Sequence, residues 1–189
     1  MFGLDARIAL GIFGALSIIA GAYTAMSLSS IYASSFSKEL EETAKALEAI
    51  HYDLKQDLHS QLINNTDKQA FIALYDKMAL EPGKARGRWL GPYIKATTPI
   101  HPRYGETRIV KRAGNVDQDC FPEEVCFLWL SYDNVKEDIA EQLNETFDGI
   151  HEQIPATHGR LQWREGYDDK TTILYFRASQ TIGGSGYSY

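Results

Sequence analysis

The N-terminal segment constrains the fold more than any other part of this chain. No charged residue occurs between Arg7 and Lys38, and positions 8–28 are mostly Ala, Gly, Ile, Leu, Phe and Met. A helix needs about 20 such residues to cross the hydrocarbon core of a bilayer. Positions 1–30 therefore predict an apolar helix that lies in a membrane or in the core of an assembly.

Small residues within this segment favour close packing between helices. The glycines at Gly11, Gly14 and Gly21 let neighbouring helices approach, and each interior glycine weakens a helix by roughly 0.5–1 kcal/mol relative to alanine. A helix that packs against copies of itself and stretches locally during assembly uses both properties. A plain single-pass anchor is the simpler alternative. A removable signal peptide is a third, although Asp5 offsets the positive charge of Arg7 that such a peptide needs.

The apolar pattern continues beyond this segment in a different form. Apolar residues recur every three or four positions from Leu40 to Leu62, with charged residues on the opposite face. No proline occurs before Pro82. The pattern predicts a single helix of about 90 Å, with an amphipathic continuation over positions 31–63 that ends at the following Asn-Asn pair.

The opening sequence MFGLDARIALGIFGALSIIAGAY, followed by a long amphipathic helix, resembles the type IV pilin and pseudopilin family, with Met1 as in its IVb-like branch. The resemblance implies that a prepilin peptidase removes a short leader, that the new N-terminus is methylated, and that position 5 carries an acid. Asp5 takes the place of the family's usual glutamate. The family's frequent kink-forming proline is absent, and Ala22 stands near its place.

The resemblance also implies a role for Asp5 in assembly. A carboxylate buried among apolar helices is costly unless it is paired. The α-amino group of Met1 on a neighbouring subunit is a suitable partner, and such a pair would set the axial register between subunits. The alternative is that Asp5 caps the helix N-terminus or pairs with Arg7 at the level of the lipid headgroups.

Positions 64–189 predict a globular α+β head. Four stretches rich in β-branched and aromatic residues indicate strands, at positions 106–113, 126–132, 159–165 and 171–178, with a hairpin turn at positions 166–170. Helices are predicted at positions 67–80 and 134–149; in the second of these, Asn134 and Glu137 form a capping box and Gly149 ends the helix. The predicted fold is thus α+β, a long N-terminal helix packed on an antiparallel β-sheet.

An aromatic segment precedes the first strand. Trp89, Gly91, Pro92, Tyr93 and Ile94 resemble a W-x-G-P-Y-[IL] segment of pilins and pseudopilins, and the resemblance implies that it packs the sheet onto the long helix. An aromatic turn of any small domain would be buried in the same way.

The two cysteines, Cys120 and Cys126, lie close together in the sequence CFPEEVC. In an extracytoplasmic protein this spacing is typical of a short-loop disulfide. Two free buried thiols are the alternative. A disulfide would place the head outside the cytoplasm.

Charge is segregated along the head. Positions 84–112 are basic apart from Glu106, and positions 117–152 are acidic apart from Lys136. Opposed patches suit contacts between subunits of a helical assembly, and pairing within one subunit explains the pattern equally well. The net charge of −6 argues against a general nucleic-acid-binding protein, so DNA is a minor candidate partner of the basic stretch.

No motif predicts catalysis. The sequence contains no nucleophile elbow, P-loop or dinucleotide fingerprint, and His51 and His59 lie eight positions apart without a partner motif. Asp168 and Asp169 offer a weak calcium site, which a hairpin turn explains equally well. We therefore expect no enzyme activity, no metal and no cofactor.

These observations predict a subunit of an extracellular type IV pilus-like filament. Its partners would be copies of itself, the inner membrane before assembly, and the pilus assembly machinery. A pseudopilin of a type II secretion system is one alternative. A single-pass membrane protein whose extracytoplasmic domain binds a partner without polymerising is another.

Overall fold

The computed structural model of the protein describes residues 6–121, 124–149 and 157–181, and it describes the side chains of the first helix from Leu28 onward. The predicted positions Met1 and Asp5 lie outside the described residues. Gly11, Gly14 and Gly21 lie in helical backbone, and their role in helix packing stays a prediction. Among the described residues, no helix is both long and apolar enough to cross a membrane.

The first element is a helix of 49 residues, α1 (Ala6–Leu54). From position 33 onward it buries one face against the head, and Phe36, Leu40, Leu47 and Ile50 on that face are fully or almost fully buried. Their three-to-four spacing brings them to one side of a helix with 3.6 residues per turn. This half of the helix is therefore held by its apolar contacts with the head.

The prediction that this helix continues to position 63 is wrong. It ends at Leu54, because Lys55 adopts a left-handed backbone conformation with φ of 55°. Asp57 then caps a short 3-10 turn, Leu58–Gln61, by accepting the His59 N–H. Leu58, the first residue of this 3-10 turn, is buried. The apolar spacing therefore predicted burial correctly at a position beyond the end of α1.

Short elements connect α1 to the sheet. The helix predicted over positions 67–80 is a single short helix, α2 (Asp67–Ile72), followed by a separate 3-10 turn, Lys77–Ala79. Thr66 caps α2 by accepting the Gln69 N–H. A one-turn helix, α3 (Lys84–Arg88), follows.

The head contains a five-stranded antiparallel sheet in the order β1-β2-β3-β5-β4. Its strands are β1 (Ile100–His101), β2 (Gly105–Arg112), β3 (Phe127–Lys136), β4 (Leu161–Glu165) and β5 (Thr171–Gln180). Alternate residues face α1 and form the core, including Ile109, Leu130, Tyr132, Leu174 and Phe176. The α+β fold class with a long N-terminal helix is thus confirmed, and so is the hairpin turn between β4 and β5.

The remaining helix, α4 (Glu137–Phe147), connects β3 to β4. The predicted capping box is wrong, because Asn134 lies within β3 and donates its N–H to Tyr104 O. Gly149 follows the helix with φ of 91° and donates its N–H to Asn144 O. Ile139 and Leu143 on the inner face of α4 are buried.

The disulfide prediction is confirmed. Cys120 and Cys126 are bonded, with Cα atoms 5.7 Å apart. The bridge closes a short loop immediately before β3, and Cys126 O accepts hydrogen bonds from the Thr181 N–H and hydroxyl.

Candidate functional site

An aromatic cluster joins α1 to the sheet. The rings of Phe36 and Tyr104 stack with centroids 3.9 Å apart, and Tyr132 meets Phe36 edge-on at 4.9 Å. Such pairs stabilise a core beyond their buried area. Burial raises the pKa of Tyr132 far above its ordinary value. The cluster therefore fixes the position of the long helix against the middle of the sheet.

A histidine and a glutamate close the edge of this cluster. His101 Nδ1 accepts the N–H groups of Arg103 at 3.1 Å and Tyr104 at 3.0 Å. Its Nε2 lies 3.2 Å from the Glu39 carboxylate. Because Nδ1 accepts two hydrogen bonds, the ring proton of the neutral tautomer must be on Nε2, which then donates to Glu39. A residue of β1 is thereby tied to α1.

The predicted aromatic segment lies at the C-terminal end of α1. Trp89 Nε1 donates to Ala73 O at 2.8 Å, and the Tyr93 hydroxyl donates to Asp53 at 2.5 Å. A Cβ atom on Gly91 would come within 2.7 Å of both aromatic rings, so this position requires glycine. These polar contacts join α1 to the chain after α2. The aromatic segment thus bonds to α1 and to the α2 region, and the expectation that it packs the sheet onto the long helix stays a prediction.

A cleft of about 590 Å³ opens between α1 and the chain from Tyr93 to Pro102. Its lining mixes carboxylate, hydroxyl, amine and aromatic groups from Glu39, Glu42, Thr43, Phe71, Tyr93, Ile94, Lys95, Ala96, Thr97, Thr98, Ile100, His101, Pro102 and Thr107. Its volume lies within the range of small-molecule sites, about 300–1,000 Å³. The sequence patterns did not indicate this site, because its lining comes from four separate stretches of the chain.

Part of the segregated charge is paired within the subunit. Arg108 Nη2 lies 2.9 Å from the Asp133 carboxylate, Arg112 lies 3.8 Å from Asp119, and Arg164 contacts Asp117. These contacts favour the intramolecular explanation for the middle of the sheet. For Lys84 and Lys95 the described residues include no ion-pair partner.

The helix α4 carries four acidic side chains that form no ion pair with the described residues. Glu137, Glu141 and Glu145 have no ion-pair partner among the described residues, and Asp138 accepts a hydrogen bond of 2.6 Å from the Ser29 hydroxyl. The explanation by contacts between subunits therefore stays open for the unpaired charges of α4, Lys84 and Lys95.

Asp168 stabilises the hairpin turn between β4 and β5. Its Oδ1 accepts the Lys170 N–H at 3.0 Å and the Thr171 hydroxyl at 2.8 Å. The backbone N–H of Lys170 lowers the pKa of this carboxyl group. In the described ranges no three or more His, Cys, Asp or Glu side chains are grouped so that they could hold a metal ion.

Two histidines, His51 and His59, lie near the C-terminal end of α1. His59 Nε2 lies 3.1 Å from Ile109 O and 3.4 Å from the Asp67 carboxylate. His51 is buried, its Nε2 has no hydrogen-bond partner, and burial lowers its pKa.

No protein-family model, curated protein or solved structure matches this chain. The structure of the described residues offers two candidate surfaces. One is the face of α1 that the head leaves uncovered, and the other is the cleft between α1 and the chain from Tyr93 to Pro102.

Proposed function

We propose that the protein is a structural subunit of an extracellular pilus-like filament, assembled by packing of its N-terminal helices. The observation that carries the proposal is the length of α1 relative to the head. At 1.5 Å per residue its 49 residues extend about 74 Å. The half from about Ser29 onward contacts the head, beginning with the Ser29–Asp138 hydrogen bond.

The uncovered face of α1 supports packing between subunits. Leu28 is 50% exposed and Ile31 is 60% exposed, at the point where the helix meets the head. Both are large apolar side chains next to the apolar sequence that precedes them. Neighbouring helices that cover this face would remove apolar surface from water, which stabilises an assembly by roughly 25 cal/mol per Å².

The disulfide and the anchored helix also fit a filament. A disulfide persists in oxidising compartments, in agreement with a head outside the cytoplasm. The aromatic cluster and the Glu39–His101 contact hold α1 rigidly against the sheet. Rigid attachment lets a bundle of helices present its heads in a regular array.

Asp5→Ala tests the proposal. In cells that assemble the protein we expect this variant to insert in membranes at normal levels and to form no fibres, because the register-setting carboxylate is missing. Electron microscopy of sheared extracellular material measures the fibres, and immunoblotting of membrane fractions measures insertion. Asp5→Glu should restore fibres, and Asp169→Ala, an exposed acid in the hairpin, is the matched control.

Two outcomes would contradict the proposal. Normal fibres from Asp5→Ala would remove the register role of this carboxylate. Wild-type protein that stays entirely with membranes, under conditions in which the assembly machinery is active, would favour a non-polymerising membrane protein whose head binds a partner.

A further inference from the structure

The cleft between α1 and the chain from Tyr93 to Pro102 is built on rigid walls. Tyr93 is held at both ends of its side chain, because its hydroxyl donates to Asp53 and its ring packs edge-on against Trp89 at 5.6 Å. Phe71 is almost completely buried. Phe71 therefore offers a ligand little surface, and a ligand in this cleft would meet the preformed ring of Tyr93, which reduces the entropy lost on binding.

Four threonines belong to the lining of the cleft. Thr43 of α1 and Thr107 of β2 are buried, and Thr97 and Thr98 are exposed. Thr98 Oγ1 accepts the Ile100 N–H, which fixes its orientation. The Thr43 hydroxyl already donates to Glu39 O at 2.8 Å, so the exposed hydroxyls of Thr97 and Thr98 are the ones placed to bond to a ligand.

Carboxylates dominate the charge of the cleft. Glu39 and Glu42 lie three positions apart and so share one face of α1. Lys95 is the one permanently cationic side chain in the lining. His101 is a neutral donor, since its Nδ1 accepts two backbone N–H groups. The cleft thus has an excess of negative charge, which disfavours anionic ligands.

These groups select for one ligand chemistry. The carboxylates accept hydrogen bonds from ligand hydroxyl groups, the exposed threonine hydroxyls can bond to further hydroxyls, and the ring of Tyr93 can pack against an apolar face. We propose that this cleft binds a neutral sugar ring, either as a free monosaccharide or as a residue of a larger glycan. All of these lining residues belong to one subunit, so the proposal can be tested on the unassembled chain.

Ligand-observed NMR tests this proposal on the full chain in a zwitterionic detergent that carries no sugar headgroup. The probes are glucose, galactose and N-acetylglucosamine, then oligosaccharides of each, and N-acetylneuraminic acid as the anionic comparison. We expect saturation transfer to at least one neutral sugar and none to the anionic one. Transfer to monosaccharides indicates a site for free sugar, and transfer to oligosaccharides alone indicates a glycan site.

Two variants test the cleft itself. Glu42→Gln removes a charged acceptor from an exposed position of α1 and should weaken binding about tenfold or more, and Thr97→Val should weaken it by removing one hydroxyl. Glu48→Gln is the matched control, because Glu48 is exposed on the same helix outside the cleft. Repeating the titration with Asp5→Ala separates this proposal from filament assembly.

The proposal is overturned if no neutral sugar binds at millimolar concentration. It is also overturned if the anionic sugar or a simple amine such as ethylamine binds better than every neutral sugar, or if Glu42→Gln binds as tightly as Glu48→Gln.

Discussion

The Tyr93 hydroxyl donates a hydrogen bond of 2.5 Å to the carboxylate of Asp53, one residue before the end of α1. The same hydroxyl oxygen accepts the Leu90 N–H at 3.1 Å. Burial, followed by the hydrogen bond to Asp53, raises the pKa of Tyr93 to about 12. This contact holds the aromatic segment against the end of the long helix.

Tyr93→Phe should destabilise the head. A hydrogen bond to a charged acceptor contributes about 1.5–3 kcal/mol, and partial exposure of this pair places the expected loss near the lower end of that range. Denaturant unfolding followed by tryptophan fluorescence measures the change. Tyr52→Phe is the control, because Tyr52 is 78% exposed on the same helix. Equal stability of the two variants would remove the anchoring role of the Asp53 contact.

Gly159→Ala should destabilise the start of β4. Gly159 has φ of 86°, and a Cβ atom there would lie 2.7 Å from the Asp148 carboxylate, which accepts the Arg160 and Leu161 N–H groups. A non-glycine residue in such a conformation costs about 1–3 kcal/mol. Gly114→Ala should change stability little, since no described atom lies within 4 Å of its Cβ position. Thermal unfolding compares the two variants, and an equal shift would contradict the steric argument.

Stability should fall when the protein is acidified below the ordinary histidine pKa of 6.5. The pKa of His51 is lowered in the folded state, first by burial and then by His59 and Lys111, against an opposing effect of Asp57. The unfolded chain therefore binds a proton that the folded chain does not, so stability is full above 6.5 and is lost as the pH falls. His51→Leu should flatten this part of the pH profile, whereas His158→Leu, at an exposed position, should leave it unchanged. A parallel decline in His51→Leu would assign the acid sensitivity elsewhere.

Reduction of the Cys120–Cys126 disulfide should lower stability modestly. The bonded residues are separated by 6 positions, and chain entropy predicts about 2 kcal/mol for a loop of this size. Replacing both cysteines with serine should reproduce the effect of a reducing agent, and the reducing agent should then have no further effect. Continued sensitivity of the double variant would show that reduction acts through something other than this bond.

Periodic patterns predicted which segments form helices and strands better than they predicted the residues at which these elements end. The strands β2 to β5 were predicted within a few residues of their observed bounds because alternation and β-branched residues reflect local burial. The short strand β1 was not predicted, because its two residues show no such alternation. The end of α1 was misplaced by nine residues, from 63 to Leu54, because Leu58 and Leu62 keep the apolar spacing after Lys55 turns the chain. Asn134 was misassigned as a cap because β3 extends to Lys136 through pairing with β5.

The local sequence was sufficient for the α+β class, the buried face of α1, the β4–β5 hairpin and the cysteine pair, because each depends on residues near one another in the chain. The Glu39–His101, Asp53–Tyr93 and Asp148–Leu161 contacts join residues that no periodicity connects. Folding brings such partners together only when the elements that carry them pack against one another. The lining of the cleft and the division of charges into paired and unpaired groups therefore depend on that packing.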